Sequence, residues 1–274
     1  MALIVRAETT VMESALAMAG SGFSQGTHDY DFLVKHRGES GSRDDELKLA
    51  ITSFAFKEHG VGGVVWPAAP LLAQHVLSTE GRCLREPGSR VLELGCGNSA
   101  LCGIAVAAAF GCEVVATDLP AVLRFARRNV KQNKESIERH GGRVLCRVLE
   151  WGKAANNNPR PAPYDMILGA DIVYRSELFV PLLETLSAYS APNTRILLAF
   201  QQRHPADEVR LFGELIETFG FYAIDICIES TVHGASSWQL SNMRIVLLRR
   251  SSTEDCNESG GEKLPVMILG LLQR

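Results

Sequence analysis

RVLELGCGNSALCGIAVAAAF, residues 90–110, decides the fold. Arg90 to Leu94 is a short β-rich run, and the small apolar residues from Ala100 to Phe110 predict a buried helix. Between them stand Gly95, Cys96, Gly97, Asn98 and Ser99, where a strand must turn abruptly into a helix. Glycine is suited to such a place because a Cβ there would collide with anything the backbone approaches closely.

Working outward, the same alternation repeats. EVVAT (113–117), RVLCRVL (143–149), YDMILGA (164–170) and TRILLAF (194–200) read as strands, and Leu119 to Asn133, Glu177 to Tyr189 and 205–219 read as helices. Strands alternating with helices predict an α/β fold, a mostly parallel sheet covered on both faces. FYAIDICI (221–228) and MRIVLL (243–248) have no long helix between them and are expected to pair as an antiparallel hairpin at the sheet edge, joined by a loop containing Trp238.

Before the decisive stretch the pattern is weaker. Residues 37–46 are polar and charged and predict a solvated loop, and 51–66 read as extended structure interrupted by Gly60, Gly62 and Gly63. From Pro67 to Thr79 the chain predicts a helix opening on proline, a lid over the main sheet. The expected organisation is an N-terminal extension over 1–49, one domain over 50–250 and a polar tail over 251–274.

Composition narrows the class. With 46% hydrophobic and 22% charged residues, the 274-residue chain can bury a core without metal or disulfide staples. A formal net charge of −3 lacks the basic excess that neutralising phosphates requires, so no nucleic-acid partner is expected. Seven scattered cysteines without a CxxC pair read as reduced thiols, with no metal site. No secretory signal is evident, and the apolar stretch Leu264 to Leu272 falls short of the roughly 20 residues a membrane span needs. A monomer in the cytoplasm, possible in the nucleus as well, is the expectation.

Two clusters carry chemistry. Gly95, Gly97 and Ala100 satisfy the relaxed dinucleotide fingerprint, and Asp118, about 20 residues on, is placed to accept hydrogen bonds from ribose hydroxyls of NAD or of an adenosyl cofactor. Glu93 separates the two, since an acid just before the turn suits the ammonium of a methionine moiety and repels a pyrophosphate. The alternative for Glu93 is a buried carboxylate satisfied by backbone donors. Ser99 is no nucleophile elbow, because Ala100 and Leu101 follow it.

The second cluster is Asp171 and Tyr174, at the carboxyl end of YDMILGA, where open α/β sheets place their ligand crevice. A carboxylate and a phenol there would define a polar slot for an amine; alternatively Asp171 caps the next helix and Tyr174 packs. Trp66 and Trp151, near predicted strand ends, either cover an adenine or methionine moiety or belong to the core.

Taken together, VVWPAAPLL, VLELGCGNSALCG, VVATDL, VLEWG, YDMILGADIVY and AFQQRHPADE resemble the methyltransferase-like protein-lysine methyltransferases that modify chaperones and AAA ATPases, nearest to the branch that modifies the valosin-containing protein. The likeness covers roughly residues 50 to 225. It implies a Rossmann-like sheet of seven strands with the last antiparallel. It further implies S-adenosylmethionine as cofactor, with contacts at Trp66, Gly95, Cys96, Gly97, Asp118, Trp151 and Ala170, beside which Glu93 and Leu119 are read as further candidate contacts, and a lysine entry lined by Asp171 and Tyr174, the candidate catalytic pair. The substrate so implied is a lysine side chain on another protein. Two departures stand out: Pro67 where an aspartate is common, and Asn98-Ser99 where Thr-Gly is common.

Methyl transfer from a sulfonium is an in-line displacement, so holding a neutral amine in place is the main task. Lysine, with a free pKa of about 10.4, must first lose a proton, and desolvation assists that. A nicotinamide-dependent oxidoreductase and a catalytically idle binding adaptor remain the rival readings of these residues.

Overall fold

The computed structural model describes residues 26–35, 44–53, 63–153, 163–203, 205–226 and 243–250. The readings of the Trp238 loop, of most of the loop 152–163, and of the 251–274 tail lie outside these residues. Among the described residues, nine strands form two sheets.

The described residues begin with β1 (Gly26–Lys35) and β2 (Asp44–Ser53), an antiparallel pair in which Gly26 faces Ser53 and Lys35 faces Asp44. This pair corrects the sequence reading at 44–46, which it placed in a solvated loop; the rest of that loop, 37–43, lies outside the described residues. Strand period 2 explains it: Tyr30, Phe32 and Val34 on β1 and Leu47, Leu49 and Ile51 on β2 are all buried in the main core.

The chain then enters α1 (Ala68–His75), which opens after Pro67 and continues through a π turn, Val76–Glu80. Ala68, Leu72, Ala73 and Val76 are fully buried, so this helix is part of the core and not the lid expected over 67–79. Then come β3 (Arg90–Leu94), α2 (Leu101–Phe110), β4 (Glu113–Asp118), α3 (Pro120–Gln132), α4 (Lys134–Glu138) and β5 (Arg143–Val148). The second half runs β6 (Met166–Ala170), α5 (Phe179–Tyr189), β7 (Arg195–Gln201), α6 (Pro205–Val209), a π turn Arg210–Leu215, α7 (Ile216–Thr218), β8 (Phe221–Ile226) and β9 (Met243–Arg250).

The seven-stranded sheet has the order β5-β4-β3-β6-β7-β9-β8. β3 pairs in parallel with both β4 and β6, and β9 alone runs antiparallel, between β7 and β8. This is the Rossmann-like arrangement expected, with one refinement: the antiparallel strand lies one place in from the edge, and β8 forms the edge. The strand order reverses at β3, so the carboxyl ends of β3, β4 and β6 border a crevice. α2 is buried on every side, which is why its sequence is apolar throughout with no polar stripe.

The hairpin is fastened by α3. Asn129 accepts from Thr52 N–H (2.8 Å) and donates to Thr52 O (3.1 Å) and Asn98 O (2.8 Å), while one turn on Asn133 accepts from Ala50 N–H (3.0 Å) and donates to Ala50 O (2.8 Å). Two carboxamides spaced i, i+4 thus take the place of a neighbouring strand along β2. The sequence reading put Val122, Phe125, Ala126 and Val130 inward; the fully buried positions are Leu123, Ala126 and Asn129, while Arg124, Arg127 and Arg128 are exposed as expected.

Replacing Asn129 by Leu strands the Thr52 peptide and the Asn98 carbonyl in a buried site, for an expected loss of about 3 kcal/mol. Arg128→Ala, on the exposed face, should change stability by less than about 0.5 kcal/mol. Urea unfolding of both variants checks the contrast.

Candidate active site

The turn after β3 is held by its neighbour β4. Cys96 N–H donates to Thr117 O (2.9 Å), Thr117 Oγ1 donates to Glu93 O (2.7 Å), and Gly97 N–H donates to Asp118 Oδ2 (2.8 Å). Gly95 and Gly97 both have φ near +60°, and a Cβ on Gly95 would stand 2.7 Å from Ile172 Cγ2 and 3.4 Å from Trp151 Cζ2. Ala100, also left-handed at φ 47°, delivers the chain into α2. Asn98, one of the two departures, ties the turn sideways by donating to Gly63 O (2.6 Å), and Ser99 Oγ accepts from Leu101 N–H (3.4 Å).

Asp118 ends β4 with its second oxygen on Leu119 N–H (2.7 Å). Burial pushes its carboxyl above the usual range, and the Leu119 and Gly97 amides pull against that shift. Beside it Leu119 is 52% exposed, and Val148, its partner across β5, is exposed as well. An acid flanked by uncovered apolar side chains suits a nucleoside, with hydroxyls for the carboxylate and a flat ring for the apolar shelf.

Glu93 is only 3% exposed, and its Oε2 accepts from Gly103 N–H (3.0 Å) in the first turn of α2. Burial pushes its pKa up to about 8, opposed by the Gly103 amide and reinforced by Asp118. Of its two roles, backbone satisfaction is the one these contacts show, through Oε2 and the first turn of α2. Cys96 contributes its backbone, because its thiol is buried and held well above the ordinary pKa by desolvation.

Trp151 stands with its ring edge at Gly95 and its body against the second core cluster. The bend after it is fixed by Thr185 of α5, whose hydroxyl accepts from Gly152 N–H (3.0 Å). Ala170 ends β6, and the next residue, Asp171, adopts φ 57°. Its carboxylate neither caps a helix nor lines an open slot: Arg203 grips it with two bonds of 2.8 Å, and the Asp171 side chain is 3% exposed. Tyr174 is 37% exposed, so the expected pair divides into a buried acid and a surface phenol. Burial raises the phenol's pKa; Arg175 lowers it, and Asp118, Glu177 and Asp171 raise it. Trp66 lies partly buried under the Arg203 guanidinium, 5.4 Å from its ring centroid.

Residues 43–218 match the family model described as lysine methyltransferase. The chain belongs to this family. Among relatives, it is 41% identical over 154 residues to protein N-lysine methyltransferase METTL21A of Xenopus tropicalis, which spans 56% of this chain and 66% of that protein. METTL21A of Danio rerio is 36% identical over 65% of this chain and 78% of its own length, and EEF1A lysine methyltransferase 3 of Mus musculus is 36% identical over 62% and 68%. The enzyme is a protein-lysine methyltransferase using S-adenosylmethionine, and the nicotinamide and adaptor readings fall away. The residues present fit that cofactor: Gly95 and Gly97 keep the turn clear of side chains, Asp118 offers a carboxylate, and Leu119 and Val148 an apolar shelf.

Sequence reasoning missed Arg203, Thr117 and Ile172. Arg203 was visible as a charge two residues past the end of a buried strand; Thr117 and Ile172 fall within quoted motifs, but nothing in them signals their contacts.

Gly95→Ala should lower affinity for S-adenosylhomocysteine at least tenfold by calorimetry, whereas Gly88→Ala, left-handed but in open space, should leave it unchanged. Glu93 binds its proton more tightly when folded, so its contribution to stability is greatest below the unfolded pKa of about 4.3 and is lost as pH rises toward 8. Glu93→Gln removes that dependence, and its unfolding free energy should gain on the parent's between pH 5 and pH 9.

Proposed function

We propose that the lysine methylated by this enzyme lies on a non-histone protein, a chaperone, an AAA ATPase or a translation factor, and that it enters beside Tyr174. The observation that carries this reading is the partly exposed Tyr174 ring, four residues past the carboxyl end of β6 on the crevice side of the sheet. A relative named for EEF1A adds a translation factor to the candidate targets.

S-adenosylmethionine supplies an activated methyl on a sulfonium. The chain's own residues position the acceptor. The Tyr174 phenol, with its pKa raised, stays protonated at neutral pH and serves as a hydrogen-bonding wall, not as a base. Its ring gives the lysine methylenes an apolar surface and strips water from the amine, which favours the neutral, nucleophilic form. The proton leaves to solvent at the open mouth. Asp171 shapes the same mouth without touching the amine, because both its oxygens are engaged by Arg203.

A cytosolic or nuclear setting and action as a monomer without nucleic acid belong to the same proposal. The five described cysteines, all unbridged, support the reducing compartment.

Incubating the enzyme with labelled S-adenosylmethionine and hypomethylated cell extract should place label on lysine of one or a few non-histone proteins, located by mass spectrometry. Purified EEF1A serves as a direct arm. Tyr174→Phe should slow incorporation about tenfold or more while S-adenosylhomocysteine binds as before. Label confined to histones, arginine or small molecules overturns the target assignment, and an unaltered Tyr174→Phe rate overturns the entry.

A further inference from the structure

The geometry points to Arg203 as the positioning residue of the acceptor mouth, acting through Asp171 and Trp66 to hold the cofactor turn and the lysine entry in one arrangement; this rests on the methyl-transfer reading of the same edge. Arg203 lies just past β7, on a strand end to which no part has been given in the reaction. Three separate segments converge on it. Its guanidinium makes the fork-to-fork pair with Asp171 after β6, both bonds at 2.8 Å, and lies 5.4 Å from the Trp66 ring ahead of α1. From behind, its own N–H donates to Glu208 Oε1 (3.0 Å), and Glu208 is itself buried.

The consequence runs through the backbone. A left-handed φ at a non-glycine residue persists only where its surroundings over-determine it. At Asp171 they do: its N–H donates to Ala199 O at 2.7 Å, Gln201 N–H reaches Oδ1 at 3.5 Å, and Arg203 takes both oxygens. That bend sends Ile172 beneath the cofactor turn, where its methyls fill the space that Cβ atoms on Gly95 and Gly169 would claim. Two residues later it delivers Tyr174 to the surface. Loosening the grip on Asp171 therefore moves the floor under Gly95 and the wall of the lysine entry together.

The contrast in exposure assigns the roles. The Asp171 side chain is 3% exposed and Arg203 30%, so the acid has no face left for an incoming amine, whereas the guanidinium forms part of the mouth. Lysine at 203 cannot reproduce the arrangement, because an ammonium does not grip two carboxylate oxygens in a plane while also standing over the indole.

The test compares Arg203→Lys, Arg203→Gln, Asp171→Asn and the double variant Asp171→Asn/Arg203→Gln. Removing Arg203 alone leaves a buried carboxylate unpaired and endangers folding. The double variant removes that charge and keeps two hydrogen-bonding amides of similar shape. Three readouts are taken: the thermal midpoint, calorimetric affinity for S-adenosylhomocysteine, and the rate of labelled methyl incorporation into hypomethylated cell extract at varied S-adenosylmethionine.

Expected is a double variant that melts within a few degrees of the parent, binds S-adenosylhomocysteine several-fold more weakly because the floor under Gly95 shifts, and transfers methyl at least twentyfold more slowly at saturating cofactor. Its rate should be no lower than that of the slower single variant, the non-additivity of residues acting as one unit. Arg203→Lys should remain slow despite its charge. Rates within threefold of the parent for the double variant or for Arg203→Lys overturn the inference, since charge balance alone would then suffice. A parent enzyme that binds no S-adenosylhomocysteine, or labels no lysine, defeats the underlying functional reading instead.

Discussion

The whole arrangement depends on a backbone bend at the end of β3 that no side chain fills. Two glycines at φ near +60° turn the chain, and the bend is clamped from β4 by Thr117 and Asp118, which satisfy the amides that the turn would otherwise orphan. Because β3 is central in the sheet, with β4 on one side and β6 on the other, the bend opens into the crevice where the strand order reverses. Everything that contacts the cofactor or the acceptor is measured from that point.

The carboxylates near this bend are managed in three different ways. Glu93 is buried against the start of α2 and takes up a proton, its pKa raised to about 8. Asp171 keeps its place by pairing with Arg203. Asp118 is left at the edge, bonded to two amides and open on one side. In a low-dielectric site three free negative charges would repel one another and draw in water, so neutralising two of them leaves one defined acceptor.

The hairpin β1–β2 extends the same logic to the rear. Its aromatic face adds to the main core, and its outer edge is read by Asn129 and Asn133 as though they were a strand. Asn129 also reaches Asn98 in the turn, so the hairpin, α3 and the cofactor bend share one hydrogen-bonded seam. The bond from Asn129 reaches the backbone carbonyl of Asn98, and the Asn98 carboxamide, a departure from the common family pattern, extends the seam to Gly63.

The sequence by itself determined the sheet. The strands β3 to β9 announce themselves by apolar runs bounded by turn residues, most plainly β3, β4, β6, β7 and β9, where burial on both faces admits little else, and the glycine turn and Asp118 follow from spacing along adjoining strands. The family motifs likewise name residues near one edge, since strand ends in a parallel sheet converge. Only the tertiary structure decided which partner each polar side chain takes. Glu93 takes a backbone amide of α2, Asp171 an arginine 32 residues away, and Asn129 a strand 77 residues earlier. The β1 alternation of Tyr30, Phe32 and Val34 was present in the sequence, yet Asp29 and Asp31 between them masked it, and only the core against which those rings pack makes the pattern a strand. Periodicity reports which face is buried; hydrogen-bond partners brought together by folding leave no periodic trace.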